Sequence, residues 1–228
     1  MPQRLTYRAG FQGRLRAVLS CGVASLAALA LGGCASGEVS PLGESARALI
    51  PGGSDYASEV QQHGFAALIV DAANREGMAV LGAMAGPYTY WPTGDGGSLA
   101  LFHGALHSTS GFDEDLLGTQ YRLEGVEVPW LAETPVAFEL SRQWQVAGGA
   151  VQQQRATGRL ECAPAEPVSL TLDEPALERC NETLEWDDGT TTRSTLWREP
   201  HTHQLRQVAA TPWPGAPTFA WQVARSWW

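Results

Sequence analysis

The chain contains no lysine: its 15 basic residues are all arginine, set against 24 acidic ones. That balance argues against nucleic acid as a partner and against a polybasic surface for anionic lipid. No G-x-S-x-G, no H-E-x-x-H and no glycine-rich phosphate loop with a lysine occurs, so the common hydrolase, metalloprotease and nucleotide-binding signatures are absent. Long apolar runs are missing too. The longest, Ala17 to Leu31, is broken by Ser20, Gly22 and Ser25, and its about 15 residues fall short of the ~20 that a membrane-spanning helix needs. Cysteine is sparse, with four in 228 residues, and neither an internal repeat nor a low-complexity tract is evident.

What is present begins at the N-terminus. Arg4, Arg8, Arg14 and Arg16 precede the apolar run, and no acidic residue comes before Glu38. A basic start followed by a short apolar core is an export signal. It ends in L-G-G-C, Leu31 to Cys34, the pattern of a bacterial lipobox, with Gly32 where Ala, Ser, Thr or Val is usual. The expectation is a signal peptide over residues 1–33 and a mature protein beginning at an acylated Cys34. Two or three acyl chains anchor a protein stably where one is marginal. The next residue is Ala35 rather than the aspartate associated with inner-membrane retention, so the expected address is the periplasmic side of the outer membrane. With the signal removed, 11 arginines face 24 acids, a net charge of -13. Cys21 leaves with the signal, so Cys162 and Cys180 are the remaining pair. In an oxidising compartment they are expected to form a structural disulfide, worth about 3 kcal/mol for a loop of this length. A metal or redox role would need closer spacing or further ligands.

Residues 34–64 read as a lipidated tether with short helices. Ser40-Pro41 is a helix start, Pro51-Gly52-Gly53 a stop, and a second helix is predicted from Ser54 to Gln62. From residue 65 to 228 the pattern changes to short apolar or alternating runs. Strands are predicted at Phe65–Val70, Met78–Met84, Tyr88–Trp91, Ser98–Phe102, Val136–Val146 and Val151–Cys162. Further ones are predicted at Val168–Leu172, Thr183–Trp186, Thr192–Trp197, Gln204–Ala209 and Thr218–Val223. Turns are expected at Asn74 to Gly77, Gly94 to Gly97, Gly148-Gly149 and Asp187 to Gly189. Short strands at ~8–12-residue spacing imply an all-β fold, an antiparallel meander β-sandwich or open barrel behind a short N-terminal helical tether.

Chemistry-bearing residues are few. His201 and His203 would share a strand face, with His103 and His107 elsewhere, but no third spaced ligand accompanies them, so no metal is expected. Asp187-Asp188 suits a turn better than a glycosidase pair. Most of the nine tryptophans are expected to fill the core. The remainder could meet a glycan or a protein, Trp227 and Trp228 foremost. In the segment from Ser110 to Gly118, Gly111 suggests a positive φ. Phe112 is expected to plug the core, and Asp113, Glu114 and Asp115 to accept from free N–H groups of a short helical turn.

The segment from Tyr88 to Thr119 reads YTYWPTGDGGSLALFHGALHSTSGFDEDLLGT. An aromatic strand, a D-G turn, a second strand and then T-x-G-[FL]-x-x-D-L resemble the YjbF/GfcB (YmcC-like) family of lipoproteins. Thr109, Gly111, Phe112, Asp115 and Leu116 stand at the motif positions. FAALIVDAANREG upstream and TPWPGAPTFAWQVARSW downstream extend the resemblance weakly over residues 40–225, and the Trp227-Trp228 ending departs from it. The resemblance implies a non-enzymatic, all-β outer-membrane lipoprotein acting in exopolysaccharide or group 4 capsule production and export. Its implied partners are an outer-membrane β-barrel and periplasmic export proteins, with polysaccharide itself a further candidate. It implies no cofactor beyond the lipid on Cys34, and it carries no catalytic residues. The alternative is a carrier-like or structural β-domain that binds an apolar ligand in envelope maintenance. The anchor is testable directly: Cys34→Ser is expected to abolish palmitate labelling, and unchanged labelling would contradict it.

Overall fold

The computed structural model describes residues 55–228 other than residue 95. The lipobox, Cys34 and the helix start at Ser40 lie outside the described residues.

Among the described residues, one helix, α1 (Asp55–Gln62), precedes fourteen strands. These are β1 (Ala67–Ala72), β2 (Arg75–Val80), β3 (Ala83–Ala85), β4 (Tyr88–Pro92), β5 (Ser98–Phe102), β6 (Ala105–Ser110) and β7 (Asp115–Arg122). After a 3-10 turn at Pro129–Leu131 come β8 (Val136–Gln145), β9 (Val151–Cys162), β10 (Glu166–Pro167), β11 (Ala176–Trp186), β12 (Thr191–Arg198), β13 (Leu205–Ala210) and β14 (Phe219–Arg225). The large sheet runs β2-β1-β14-β13-β12-β11-β9-β8-β7, with β10 paired to β11, and the small sheet runs β3-β4-β5-β6. All pairings are antiparallel. The chain lays down one edge of the large sheet, builds the small sheet, and returns at the far edge with β7. It then meanders back until β14 meets β1. Neither sheet closes, which makes the architecture an antiparallel sandwich or open barrel.

Alternation explains the sidedness. In β8 Phe138, Leu140, Arg142 and Trp144 are buried, while Ala137, Glu139, Gln143 and Gln145 face out. Phe138 lies opposite Gly158 of β9, and a Cβ there would meet the phenyl carbons at 2.3 Å, so the ring fits only over glycine. One core joins both sheets: Trp91, Leu99 and Leu101 from the small sheet pack with Leu68, Val70, Leu116, Trp221 and Val223 from the large one. α1 buries Val60 against Ala67, Ile69 and Ala224 on the other face of β1 and β14. The last part of the 34–64 segment therefore belongs to the folded body.

The small sheet is fastened through its β5–β6 turn. His103 (φ 47) and Gly104 (φ 85) take left-handed geometry there. Their carbonyls accept the indole N–H groups of Trp130 at 2.9 Å and Trp221 at 3.2 Å. Trp130 is held in turn by Arg198, a fully buried guanidinium that donates to the carbonyls of Trp130 (2.6 Å) and Ala132 (2.8 Å) and pairs with Glu178 at 2.7 Å.

Several expectations need correction. Arg75–Gly77 continues β2, and the reversal sits at Ala73-Asn74, both with positive φ. The predicted strand over Met78–Met84 is two strands parted at Leu81-Gly82. Residues 168–172 form no strand; Pro164, Pro167 and Pro175 remove ladder donors, and the segment lies as a strap with Val168 against Leu177 and Trp197. β6 and β7 went unpredicted. His201 and His203 occupy the turn after β12, with His203 at φ 55, so they share no strand face.

Cys162 and Cys180 face each other across β9 and β11 and are bridged. Replacing both with serine is expected to lower unfolding free energy by about 2–4 kcal/mol without loss of the fold. Chemical denaturation of wild type and variant checks this, together with the absence of free thiol in the denatured, unreduced protein.

Candidate functional site

The motif residues converge on one turn between β6 and β7. The Asp115 carboxylate accepts from the Thr109 hydroxyl (2.8 Å) and from the backbone N–H groups of Gly111 (3.0 Å) and Phe112 (3.2 Å). Thr109 also accepts from the Leu116 N–H at 2.9 Å. One carboxylate and one hydroxyl thus satisfy three backbone donors, the local bonding that turns favour. Gly111 has φ 82, and a Cβ there would stand 2.7 Å from the Gly96 carbonyl. No helical turn forms, because β7 already begins at Asp115. Asp113 is exposed and Glu114 is half-buried, with its carboxylate 3.4 Å from the Ala147 N–H. Phe112 is buried between the Phe219 ring (5.5 Å) and the Arg75 guanidinium, 4.5 Å above its own ring.

Inside the large sheet lies a second polar group. Arg142, on an inward position of β8, donates to the Thr119 hydroxyl (3.2 Å), the Pro212 carbonyl (2.5 Å) and the Tyr121 hydroxyl (3.3 Å). Glu182 comes in from β11 and bonds Ser194. Burial raises the Glu182 carboxyl above its ordinary value, with Arg142 and Ser194 acting the other way. Burial likewise pushes the Tyr121 phenol up to about 12. The cavity these groups share measures about 20 Å³, room for a water molecule and nothing larger.

The remaining candidates are dispersed. His103 pairs with Glu127 at 2.6 Å, His203 meets the Leu131 carbonyl at 3.2 Å, and His107 packs against Tyr88 and Phe102. Asp188 caps the β11–β12 turn through the Thr190 N–H (2.9 Å) and hydroxyl (2.6 Å). Cys162, Glu178 and Cys180 have the proximity of a metal set, but the thiols are bridged and the carboxylate holds Arg198.

Seven of the nine tryptophans are buried: Trp91, Trp130, Trp144, Trp186, Trp197, Trp213 and Trp221. Trp144 contacts both Trp186 (6.2 Å) and Trp213 (5.9 Å), and Trp213 leads through Phe219 to Phe112. Trp227 is half-buried with its edge on Trp91 (5.1 Å), and Trp228 is exposed beside it, 4.4 Å between centroids. Sequence reasoning missed the row Trp197, Gln207 and Gln222, opposed across β12, β13 and β14 and covered by the strap, whose Thr171 N–H donates to Gln222 at 2.8 Å. Polar residues at buried positions inside otherwise apolar strands were the signal.

These features define an open antiparallel β-body with a core rich in tryptophan and a motif that caps its own turn. No family model matches the chain, and no curated protein matches it in sequence. Among solved structures, one described as the hypothetical lipoprotein YmcC from Escherichia coli (K12) shares the fold. Its TM-score is 0.64 at 15% identity, over 75% of this chain and 88% of that one. The fold is YmcC-like.

Two outcomes are expected. Asp115→Ala leaves two backbone donors and the Thr109 hydroxyl without their acceptor and should cost about 1–3 kcal/mol in denaturant unfolding. For Glu182, a folded pKa above the unfolded 4.5 means that the native state binds the extra proton between the two values. Its contribution to stability therefore falls as pH rises through that window and is fully lost above it. The stability of wild type minus that of Glu182→Gln should decline as pH is raised from about 4.5 towards 7; a flat difference would contradict the shift.

Proposed function

We propose that this protein is a non-enzymatic lipoprotein of the YjbF/GfcB kind, anchored through Cys34 on the periplasmic side of the outer membrane, where it assists export of exopolysaccharide or group 4 capsule. The observation that carries the reading is the T-x-G-F-x-x-D-L run, Thr109 to Leu116, as a self-capped turn on a YmcC-like fold, behind a lipobox. The solved neighbour is itself described as a lipoprotein. A supporting role rather than polymer chemistry fits the way polar groups are used. Asp115 caps a turn, Glu178 and Arg198 brace the Trp130 segment, and Arg142 is enclosed. Its partners in this reading are an outer-membrane β-barrel and periplasmic export proteins, with no nucleic acid and no cofactor besides the lipid. A net mature charge of -13 leaves stacking, arginine forks or a protein partner as the means of meeting an acidic polymer.

The carrier-like alternative needs interior room for an apolar ligand. The core between the sheets is instead filled by tryptophan, and the cavity beside Arg142 measures only about 20 Å³.

Deleting the protein is expected to lower exported polysaccharide while cytoplasmic precursor synthesis continues, and crosslinking in the envelope to recover a β-barrel protein. Purified protein should neither shorten nor extend the polymer. Glycan turnover that is lost on replacing one particular carboxylate would overturn the reading in favour of an enzyme.

A further inference from the structure

Among the described residues, the large apolar side chains that are well exposed are Phe65, Met84, Tyr90, Leu117, Val151, Leu172 and Trp228. Four of them gather at one end of the fold. Ala67 of β1 lies opposite both Arg225 of β14 and Val80 of β2, so Phe65, Leu81 and Trp227-Trp228 all leave the large sheet there. The Leu81 N–H bonds the Ala66 carbonyl (3.0 Å) and the Gly82 N–H bonds the Tyr90 carbonyl (2.8 Å). Those two bonds bring the small-sheet residues Tyr90 and Met84 alongside. Phe65 is 66% exposed, Met84 53%, Trp228 46% and Tyr90 42%. Beneath them Trp227 is braced on Trp91, which gives the surface a rigid base.

The same end is poor in charge: Arg225, opposite Ala67, is committed to the Val60 carbonyl at 3.2 Å. Residues 64–70, 77–94 and 226–228 contain no Asp, Glu or Arg, although the mature chain as a whole carries -13. Cys34 and Asp55 are 21 positions apart in the sequence, and α1 leads directly to Phe65.

We propose that this end is a bilayer-facing surface, with Trp228, Phe65, Met84 and Tyr90 seated at the headgroup level. The proposal rests on the Cys34 anchor of the preceding section. Tryptophan and tyrosine favour the membrane–water interface, where one part of the ring is apolar and another wet. An anionic leaflet repels the acidic remainder of the domain within a Debye length, so the end poor in acidic side chains is the one that can approach. The acyl anchor raises its effective concentration at the membrane, and a weak contact then suffices to orient the domain. A protein partner on the same surface is the competing occupant.

The test uses acylated protein extracted from the bacterial envelope and reconstituted into phosphatidylethanolamine/phosphatidylglycerol vesicles, with or without bromine on the acyl chains. Tryptophan emission is expected to drop in the brominated vesicles, and Trp228→Phe to remove the greater part of that drop. Phe65→Ser with Met84→Ser should reduce it while leaving far-ultraviolet dichroism unchanged. Equal emission in both vesicle types, from protein that mass spectrometry shows to be acylated, would overturn the surface and leave the patch to a protein partner. Quenching without an acyl chain would keep the surface and remove the anchor, and the absence of both would remove both.

Discussion

Two indole N–H groups bonded to one left-handed turn hold the two sheets together. Trp130 and Trp221 come from opposite parts of the chain, the 3-10 turn and β14, and both end on the β5–β6 reversal at His103-Gly104. Each removes a polar atom from the core by giving it a partner, so the tryptophans can be buried in full. Gly104 suits its place twice over. It takes φ 85 at little cost, and its missing side chain leaves room for Leu205, whose Cβ a Gly104 Cβ would approach to 3.3 Å. Arg198 extends the arrangement by fixing the carbonyl of Trp130 within the 3-10 turn and that of Ala132 just after it. Loss of that guanidinium would leave the Trp130 and Ala132 carbonyls and the Glu178 carboxylate short of a donor, which is why a buried pair of this kind is costly to break.

The same economy runs through the other polar residues. Asp115 and Thr109 close the β6–β7 turn, and Phe112, set by that turn, continues the line of aromatic rings from Trp144 through Trp213 and Phe219. Asp115, Thr109, Arg198 and Glu178 are thereby committed to shape. The exposed apolar residues at the Phe65–Trp228 end are not, and neither shape nor stability accounts for them.

Much of the strand pattern was legible because alternation is a direct consequence of the pleat: Val151–Cys162 and Ser98–Phe102 stand in the structure with the bounds their periodicity implies. α1 was legible to one residue from its glycine-rich flanks. β6 was missed because His107-Ser108-Thr109-Ser110 offers no apolar alternation, although its pairing with β5 orders it. β7 was obscured by Asp113-Glu114-Asp115, whose acids resemble a helix start when only local hydrogen bonding is weighed. The strap at 168–172 failed the opposite way, since V-S-L-T-L alternates well while the prolines around it deny it a ladder. The motif turn could be located from Gly111, and Asp115 as an acceptor of nearby backbone N–H groups was legible with it, whereas Arg142 with Glu182 as an interior group depends on contacts across strands that no local pattern encodes.

The account turns on the claim that the sheets form one cooperative body clamped at His103-Gly104, with a free aromatic end. Native-state hydrogen exchange of the indole N–H groups, followed by NMR, reads this most directly. The account predicts that Trp130 and Trp221 exchange only through global unfolding, with the same opening free energy as the amides of β9 and β11, while Trp228 exchanges freely. Fast exchange at Trp130 and Trp221 while β9 and β11 stay protected would show that the small sheet opens on its own, and would contradict it.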